Sequence, residues 1–149
     1  KRRSRREKYP DTHVFHFHNA NPRNRITGDC RIRAISVACE VPYNQVVMDL
    51  ARIQCETGYD QCCGQGIDIL MKQYGWEKQR QPRKWDNTKY TGKEFCEEIR
   101  DGLSFNGKDM SRIMANIGAN HEVAIIEGQV WDHWDSTDGC IGNYWVKKG

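Results

Sequence analysis

Several features are missing from this sequence of 149 residues, and their absence limits the classes of protein it can belong to. No apolar run approaches the roughly 20 residues that a membrane-spanning helix needs. No segment has the pattern of a signal peptide, and no internal repeat is present. Because charged residues make up 29% of the chain and hydrophobic residues 38%, we expect one domain that does not associate with membranes.

A cysteine framework is also missing. The seven cysteines are an odd number, are irregularly spaced and include no C-x-x-C pair. This pattern argues against a set of disulfides and favours a reducing compartment. We therefore expect a cytoplasmic location.

Positive charge is concentrated at the start of the chain. Residues 1–8, KRRSRREK, carry six basic residues and one acidic residue, whereas the remainder is close to neutral. We expect residues 1–12 to form a flexible basic arm and residues 13–149 to form the folded domain. The arm is a candidate for binding nucleic acid or another polyanion by counterion release; the alternative is a solvated tail. Its basic residues are Lys1, Arg2, Arg3, Arg5, Arg6 and Lys8.

Hydrophobic periodicity predicts a helical first half and a β-rich second half. A strand is predicted over residues 13–19, followed by helices over residues 30–41, 43–56, 66–75 and 92–100. Three apolar segments after residue 110 are predicted to form strands. This order predicts an α+β domain in which the N-terminal helices pack on one side of a C-terminal antiparallel sheet.

His16 and His18 share one face of the first predicted strand, as two ligands of a metal ion would. No third ligand is visible nearby in the sequence. We therefore predict no metal and no cofactor.

The stretch TGDC, residues 27–30, places a thiol at the start of the first of these helices. The positive end of the helix dipole and the unpaired backbone N–H groups there favour a thiolate. Asp29 is predicted to cap the helix by accepting a hydrogen bond from its first turn. The alternative interpretation is that Cys30 is a small buried side chain without a chemical role.

A histidine and a carboxylate follow on a predicted hairpin. Glu127-Gly128 is a favourable two-residue turn, which places Ile126 opposite Gln129. With this register His121 and Asp132 share a face, so that Asp132 can orient the imidazole. Asp135 is the alternative partner if a bulge shifts the register.

The order Cys30, His121 and Asp132 resembles that of papain-like cysteine peptidases. These enzymes carry a cysteine at the start of the central helix, a histidine on a later strand and an N-x-W motif soon afterwards. D-H-W at residues 132–134 is similar to that motif, and the D-C at the helix start is similar to bacteriocin-leader peptidases of the same fold. The C-G-S-C-W signature of papain is absent.

The resemblance implies a catalytic triad of Cys30, His121 and Asp132. It places Asn24, six residues before the cysteine, where related enzymes use a glutamine in the oxyanion hole. It implies hydrolysis of a peptide or isopeptide bond in a protein or peptide substrate, with acyl transfer as a variant. Small proteins of this type resemble those of bacteria and their phages, so the compartment is a host cell interior, or a virion if the source is viral.

A second hypothesis is a catalytically silent papain-like protein with a structural or nucleic-acid-associated role, as part of a larger assembly. The basic arm favours it, and so do five tryptophans, a residue type common at contact surfaces. These are Trp76, Trp85, Trp131, Trp134 and Trp145.

Overall fold

The fold is α+β, with helices against both faces of a mixed sheet, in a computed structural model that describes residues 2–61 and 63–149. The helices in these ranges are α1 (Arg5–Lys8), α2 (Cys30–Cys39), α3 (Tyr43–Thr57), α4 (Gly64–Gln73) and α5 (Gly92–Arg100). The strands are β1 (Phe15–Phe17), β2 (Trp76–Gln79), β3 (Arg112–Ile117), β4 (His121–Ile126), β5 (Gln129–Asp132) and β6 (Ile141–Lys147). None of the helices described here is both long and apolar enough to cross a bilayer.

The six strands lie in the order β1-β5-β4-β3-β6-β2. The prediction of an antiparallel sheet from the C-terminal half is wrong in two respects. Strand β1 pairs parallel to β5, with Phe15 opposite Val130, and the long chain segment between them supplies the crossover that parallel pairing requires. Strand β2, which the sequence analysis does not predict, begins directly after the predicted end of a helix at Gly75 and pairs antiparallel to β6.

The sheet separates two hydrophobic cores because side chains alternate along its strands. On one face, Met114 and Ala124 pack with α2, α3 and α4. On the other face, Ile113 and Val123 pack with Phe95 of α5. The expectation that helices cover only one face is therefore wrong, because α5 covers the second.

The turn between β4 and β5 has the predicted form. Glu127 and Gly128 have φ values of 49° and 69°, as a two-residue hairpin turn requires, and Ile126 lies opposite Gln129. Gly128 also allows close approach of α5, since a Cβ there would lie 2.7 Å from the backbone oxygen of Cys96. The turn therefore sets the register of the hairpin and is held in place by α5.

The helix that carries the cysteine begins at Cys30 as predicted. It ends at Cys39, two residues early, because Glu40 adopts a left-handed conformation with φ of 57°. A capping box begins α5: the hydroxyl of Thr91 accepts from the backbone N–H of Glu94, and the Glu94 carboxylate accepts from that of Thr91. These local signals place the helices before tertiary packing is considered.

The basic arm contains a short helix that contacts the domain. Ser4 and Glu7 cap α1, and the Arg5 side chain donates to the backbone oxygen of His133 at 2.6 Å. The guanidinium of Arg6 lies over the ring of Phe17. The remaining cations of the arm, Arg2, Arg3 and Lys8, are exposed, and Lys1 lies outside the described residues. Flexibility and polyanion binding of this arm stay predictions.

Candidate active site

Cys30 lies at the first position of α2, where it is half-buried. Asp29 occupies the N-cap position, but the prediction that its side chain caps the helix is wrong. Within the described chain, that carboxylate makes no bond to the first turn and turns instead toward other side chains. The N–H groups at the start of α2 are consequently left without a side-chain cap beside the thiol.

His121 and Asp132 are joined by a hydrogen bond of 2.6 Å between Nε2 and Oδ2. His121 is the first residue of β4 and Asp132 the last of β5, so the hairpin brings them together at the same end. The carboxylate is buried and the imidazole is 14% exposed. The pairing that the turn and register predict is therefore present.

The thiol of Cys30 and the imidazole of His121 interact, because each is among the groups that shift the pKa of the other. Because Nε2 bonds Asp132, Nδ1 is the ring nitrogen left for the thiol. Cys30, His121 and Asp132 therefore form one electrostatically coupled group, in which a hydrogen bond joins His121 to Asp132, and we call this group the relay.

The electrostatics of the relay favour an ion pair. Burial raises the pKa of Cys30, but the bond to His121 and the backbone N–H of Glu122 outweigh it, so that the pKa lies below its ordinary 9.0. Burial lowers the pKa of His121, whereas Asp132 and Cys30 raise it to about 9. A thiolate facing an imidazolium is the charge state that these shifts support.

Asp135, the alternative partner, is engaged elsewhere. Its Oδ1 accepts from both the backbone N–H and the hydroxyl of Thr137, at 2.9 and 2.6 Å. Trp134 lies between Asp132 and Asp135 in the chain, and the centre of its ring is 4.8 Å from that of the His121 ring. The indole covers the imidazole, and an apolar cover strengthens the electrostatic interactions beneath it.

Arg33 is a further member of the site that sequence reasoning missed. Its guanidinium is 5% exposed and bonds both Asp132 and Asp29, the latter at 2.7 Å. Burial raises the pKa of Asp132, but His121 and Arg33 lower it below its ordinary value, so that the carboxylate stays ionised. Arg33 therefore holds Asp132 from the side opposite His121.

Asp29 completes this support from the loop before α2. Its Oδ2 accepts from the hydroxyl of Tyr43 at 2.6 Å and from the amide of Asn21 at 3.0 Å. Burial and the bond to Asp29 raise the pKa of Tyr43 to about 12, so its hydroxyl remains a donor. One signal in the sequence points to Arg33, namely its position four residues after Asp29 at the start of a predicted helix, a spacing at which a cation and a carboxylate can pair.

A cleft of about 520 Å³ opens beside Cys30. Its wall combines the loop before α2, the first turn of that helix and two distant polar side chains. The lining residues are Thr27, Gly28, Asp29, Cys30, Arg31, Ile32, Gln61 and Asn120. The thiol is therefore accessible to a bound molecule on one side while the relay supports it on the other.

Asn24 does not line this cleft. It is exposed, has a left-handed backbone with φ of 55°, and its side-chain oxygen accepts from Asn19 at 3.4 Å. Among the described residues, no hydrogen bond joins Asn24 to Cys30. Its place in an oxyanion hole stays a prediction without a supporting contact.

His16 and His18 lie on one face of β1, as predicted, and their rings pack against Trp131. His16 also bonds the carboxylate of Asp11 at 2.8 Å. In residues 2–61 and 63–149, no group of three or more His, Cys, Asp or Glu side chains is arranged to hold a metal ion. The two histidines pack with a tryptophan in this structure.

Comparisons of this chain with models of protein families, with curated proteins and with solved structures found no match.

Proposed function

We propose that this chain is a cysteine hydrolase of the papain-like type, which cleaves a peptide or isopeptide bond. The observation that carries the proposal is the relay of Cys30, His121 and Asp132 at the edge of an open cleft. The order of its elements also supports the resemblance, since a cysteine-bearing helix precedes a histidine strand and an aspartate strand. Trp134, from the D-H-W stretch, packs on the histidine ring.

In the proposed acylation step, the Cys30 thiolate attacks the carbonyl carbon of the substrate and forms a tetrahedral oxyanion. When this intermediate collapses, the carbon–nitrogen bond breaks and the His121 imidazolium gives its proton to the leaving amine. The products are a thioester on Cys30, a free amine and a neutral imidazole. Asp132 keeps the ring oriented and stabilises its charged form before this transfer.

In deacylation, neutral His121 takes a proton from a water molecule as that water attacks the thioester carbonyl. The carbon–sulfur bond then breaks, which releases the carboxylic acid and restores the thiolate and imidazolium pair. An amine in place of water would make the same site an acyltransferase. The chemistry of the relay is common to both reactions.

The oxyanion of both steps requires donors close to the thiol. We assign this role to the backbone N–H groups of the first turn of α2, beginning with that of Cys30. The Asp29 carboxylate supports this assignment, since it is occupied by Arg33 and Tyr43 rather than by the helix terminus. An acidic cap at this point would compete with the oxyanion.

Other cysteines of the chain serve as internal controls for the reactivity of Cys30. Burial raises the pKa of Cys39 and of Cys96 to about 12, whereas that of Cys30 is lowered. The cysteines described in the structure are free thiols, which suits a reducing cell interior. Cys30 should therefore differ from these two buried thiols in its reactivity at neutral pH.

The test combines a chemical and a catalytic measurement. The protein is alkylated with iodoacetamide near neutral pH, and the modified cysteines are followed over time by peptide mass spectrometry. In parallel, a proteome-derived peptide library is incubated with wild type and with Cys30→Ala, and new peptide termini are identified. We expect Cys30 to be modified first, and new termini to form only with wild type.

A slow reaction of Cys30, at the rate of Cys39 or Cys96, would contradict the assignment of the nucleophile. Rapid alkylation without any cleavage or acyl transfer would favour the silent, binding form of the fold instead. The experiment therefore separates the two hypotheses that the sequence leaves open.

A further inference from the structure

A short hairpin between β2 and α5 carries a tryptophan away from the rest of the protein. Arg83 and Lys89 pair as an antiparallel bridge, and the backbone N–H of Lys84 donates to the oxygen of Thr88 at 2.9 Å. The tip is tightened by Asp86, whose carboxylate accepts from the backbone and hydroxyl of Thr88. Local hydrogen bonds therefore order this turn, which we call the Trp85 hairpin (residues 83–89).

Trp85 itself is 97% exposed. A tryptophan side chain is among the largest apolar surfaces that a residue can present, and leaving it in water has a cost. Because the backbone beneath it is ordered by hydrogen bonds, the position from which the indole projects is defined. Both faces of this ring are accessible to a binding partner.

The charge around this ring is positive. Arg83 and Lys89 lie directly opposite each other across the hairpin, an arrangement of like charges that is unfavourable unless an anion lies between them. Exposed Arg80 and Lys93 flank the hairpin in sequence. Within the part of the chain that the structure describes, none of these four cations forms an ion pair with a carboxylate.

The acidic residues near the hairpin offset only part of this charge. Glu94 accepts from Lys84 at 2.5 Å, and Asp86 bonds Thr88 while it keeps its negative charge. Four exposed cations therefore remain around an exposed indole.

A cleft of about 390 Å³ continues this surface. Arg80 and Arg83 belong to its rim, and the ring of Phe105 and the half-exposed Leu103 belong to its walls. Cationic rims over aromatic walls can hold the phosphate of a nucleotide and its base at the same time.

We propose that the Trp85 hairpin and this cleft bind single-stranded nucleic acid. Trp85 stacks on a base, and the Arg83 and Lys89 pair contacts a phosphate, which removes the repulsion between these two cations. The flanking Arg80 follows the strand into the cleft. This surface is separate from the relay and does not depend on the proposed hydrolase activity.

An acidic peptide could also be attracted by the cations, but the shape favours a base. A ring that projects with its faces in solvent offers no concave pocket for a side chain, whereas stacking needs only an accessible π-face. The projecting indole, together with cations that have no carboxylate partner, therefore favours a nucleic acid over an acidic peptide as the bound molecule.

The experiment measures binding of a fluorescein-labelled thymidine oligomer of about 20 nucleotides, by anisotropy, to the full chain and its variants. Trp85→Leu should weaken binding roughly fivefold to 150-fold, as expected for loss of one stacked base, and Trp85→Phe should weaken it less. Replacing both Arg83 and Lys89 by alanine should lower the salt slope by about 0.7, the value for the one phosphate on a single strand that the pair contacts. Met48→Ala, at an exposed apolar position on α3, is the matched control.

Each other outcome would overturn the proposal. Equal affinity of Trp85→Leu and wild type would exclude stacking at this hairpin. Loss of all binding on deletion of residues 1–8, with no effect of Trp85→Leu, would assign the interaction to the basic arm. Tighter binding of a polyglutamate peptide than of the oligomer would identify an acidic protein as the partner.

Discussion

Replacing Asp132 by asparagine should uncouple the relay while keeping its shape. The substitution removes the negative charge that His121 contacts at 2.6 Å and retains a side chain of similar size. Without this charge, the effect of burial, which lowers the pKa of His121, is less strongly opposed, and this pKa should fall from about 9. Cys30 loses the imidazolium that stabilises its thiolate, so its own pKa should rise.

The magnitude follows from the shift at His121. An increase of its pKa from 6.5 to about 9 corresponds to about 3 kcal/mol in favour of the charged ring, against the opposing effect of burial. Asp132 is the first of the contributions that raise this pKa. If Asp132 supplies a third of this stabilisation, its loss removes about 1 kcal/mol that favours the charged pair, and alkylation of Cys30 at neutral pH should slow roughly fivefold.

The assay is the rate of Cys30 alkylation by iodoacetamide as a function of pH, read by mass spectrometry of the peptide that contains it. The wild-type profile should lie at lower pH than that of an ordinary thiol, and that of Asp132→Asn should move to higher pH. Asp135→Asn is the matched control, because Asp135 bonds Thr137 rather than His121. Thermal unfolding of each variant would confirm that it is folded.

Superimposable profiles for Asp132→Asn and wild type would refute the coupling of carboxylate, imidazole and thiol. A larger shift in Asp135→Asn would show that the hairpin register differs from the one described. His121→Gln separates these cases, because it removes the imidazolium directly. Its alkylation profile should move to higher pH at least as far as that of Asp132→Asn.

Three further predictions concern other parts of the protein. Cys30→Ala should abolish cleavage with little change in thermal stability, because a thiol replaced by a methyl group at a half-buried position removes little volume. Arg33→Met should cost about 3–5 kcal/mol in urea unfolding, since it leaves the buried carboxylates Asp29 and Asp132 without their cation, and Arg33→Lys should cost less. The low pKa values of these carboxylates stabilise the fold above pH 3.8 and lose this effect as pH falls, so the deficit should narrow in acid; an equal deficit at every pH would contradict this account. Deletion of residues 1–8 should reduce the salt slope of polyanion binding, and an unchanged slope would remove the arm from the interaction.

Local chemistry in the sequence determined most of the elements that carry the site. The start of α2 at Cys30, the capping box of α5 and the turn at Glu127-Gly128 depend on residues close together in the chain. The turn alone sets the register that pairs His121 with Asp132, because a two-residue turn fixes which residues of the two flanking strands lie opposite each other. A candidate site on one helix and one hairpin can therefore be predicted from the sequence to a large extent.

Tertiary structure decided the features that depend on distant segments. The parallel pairing of β1 with β5 joins strands that no local turn connects, and α5 covers the second face of the sheet, where the sequence predicts helices on one side only. Packing of α2 on the sheet also brought Arg33 between Asp29 and Asp132, and this took the Asp29 carboxylate away from the helix cap that its position predicts. The physical reason is the burial of charge, because a guanidinium enclosed by protein needs carboxylate partners. Which carboxylates lie close enough to pair with Arg33 depends on how α2 packs against the hairpin of β4 and β5.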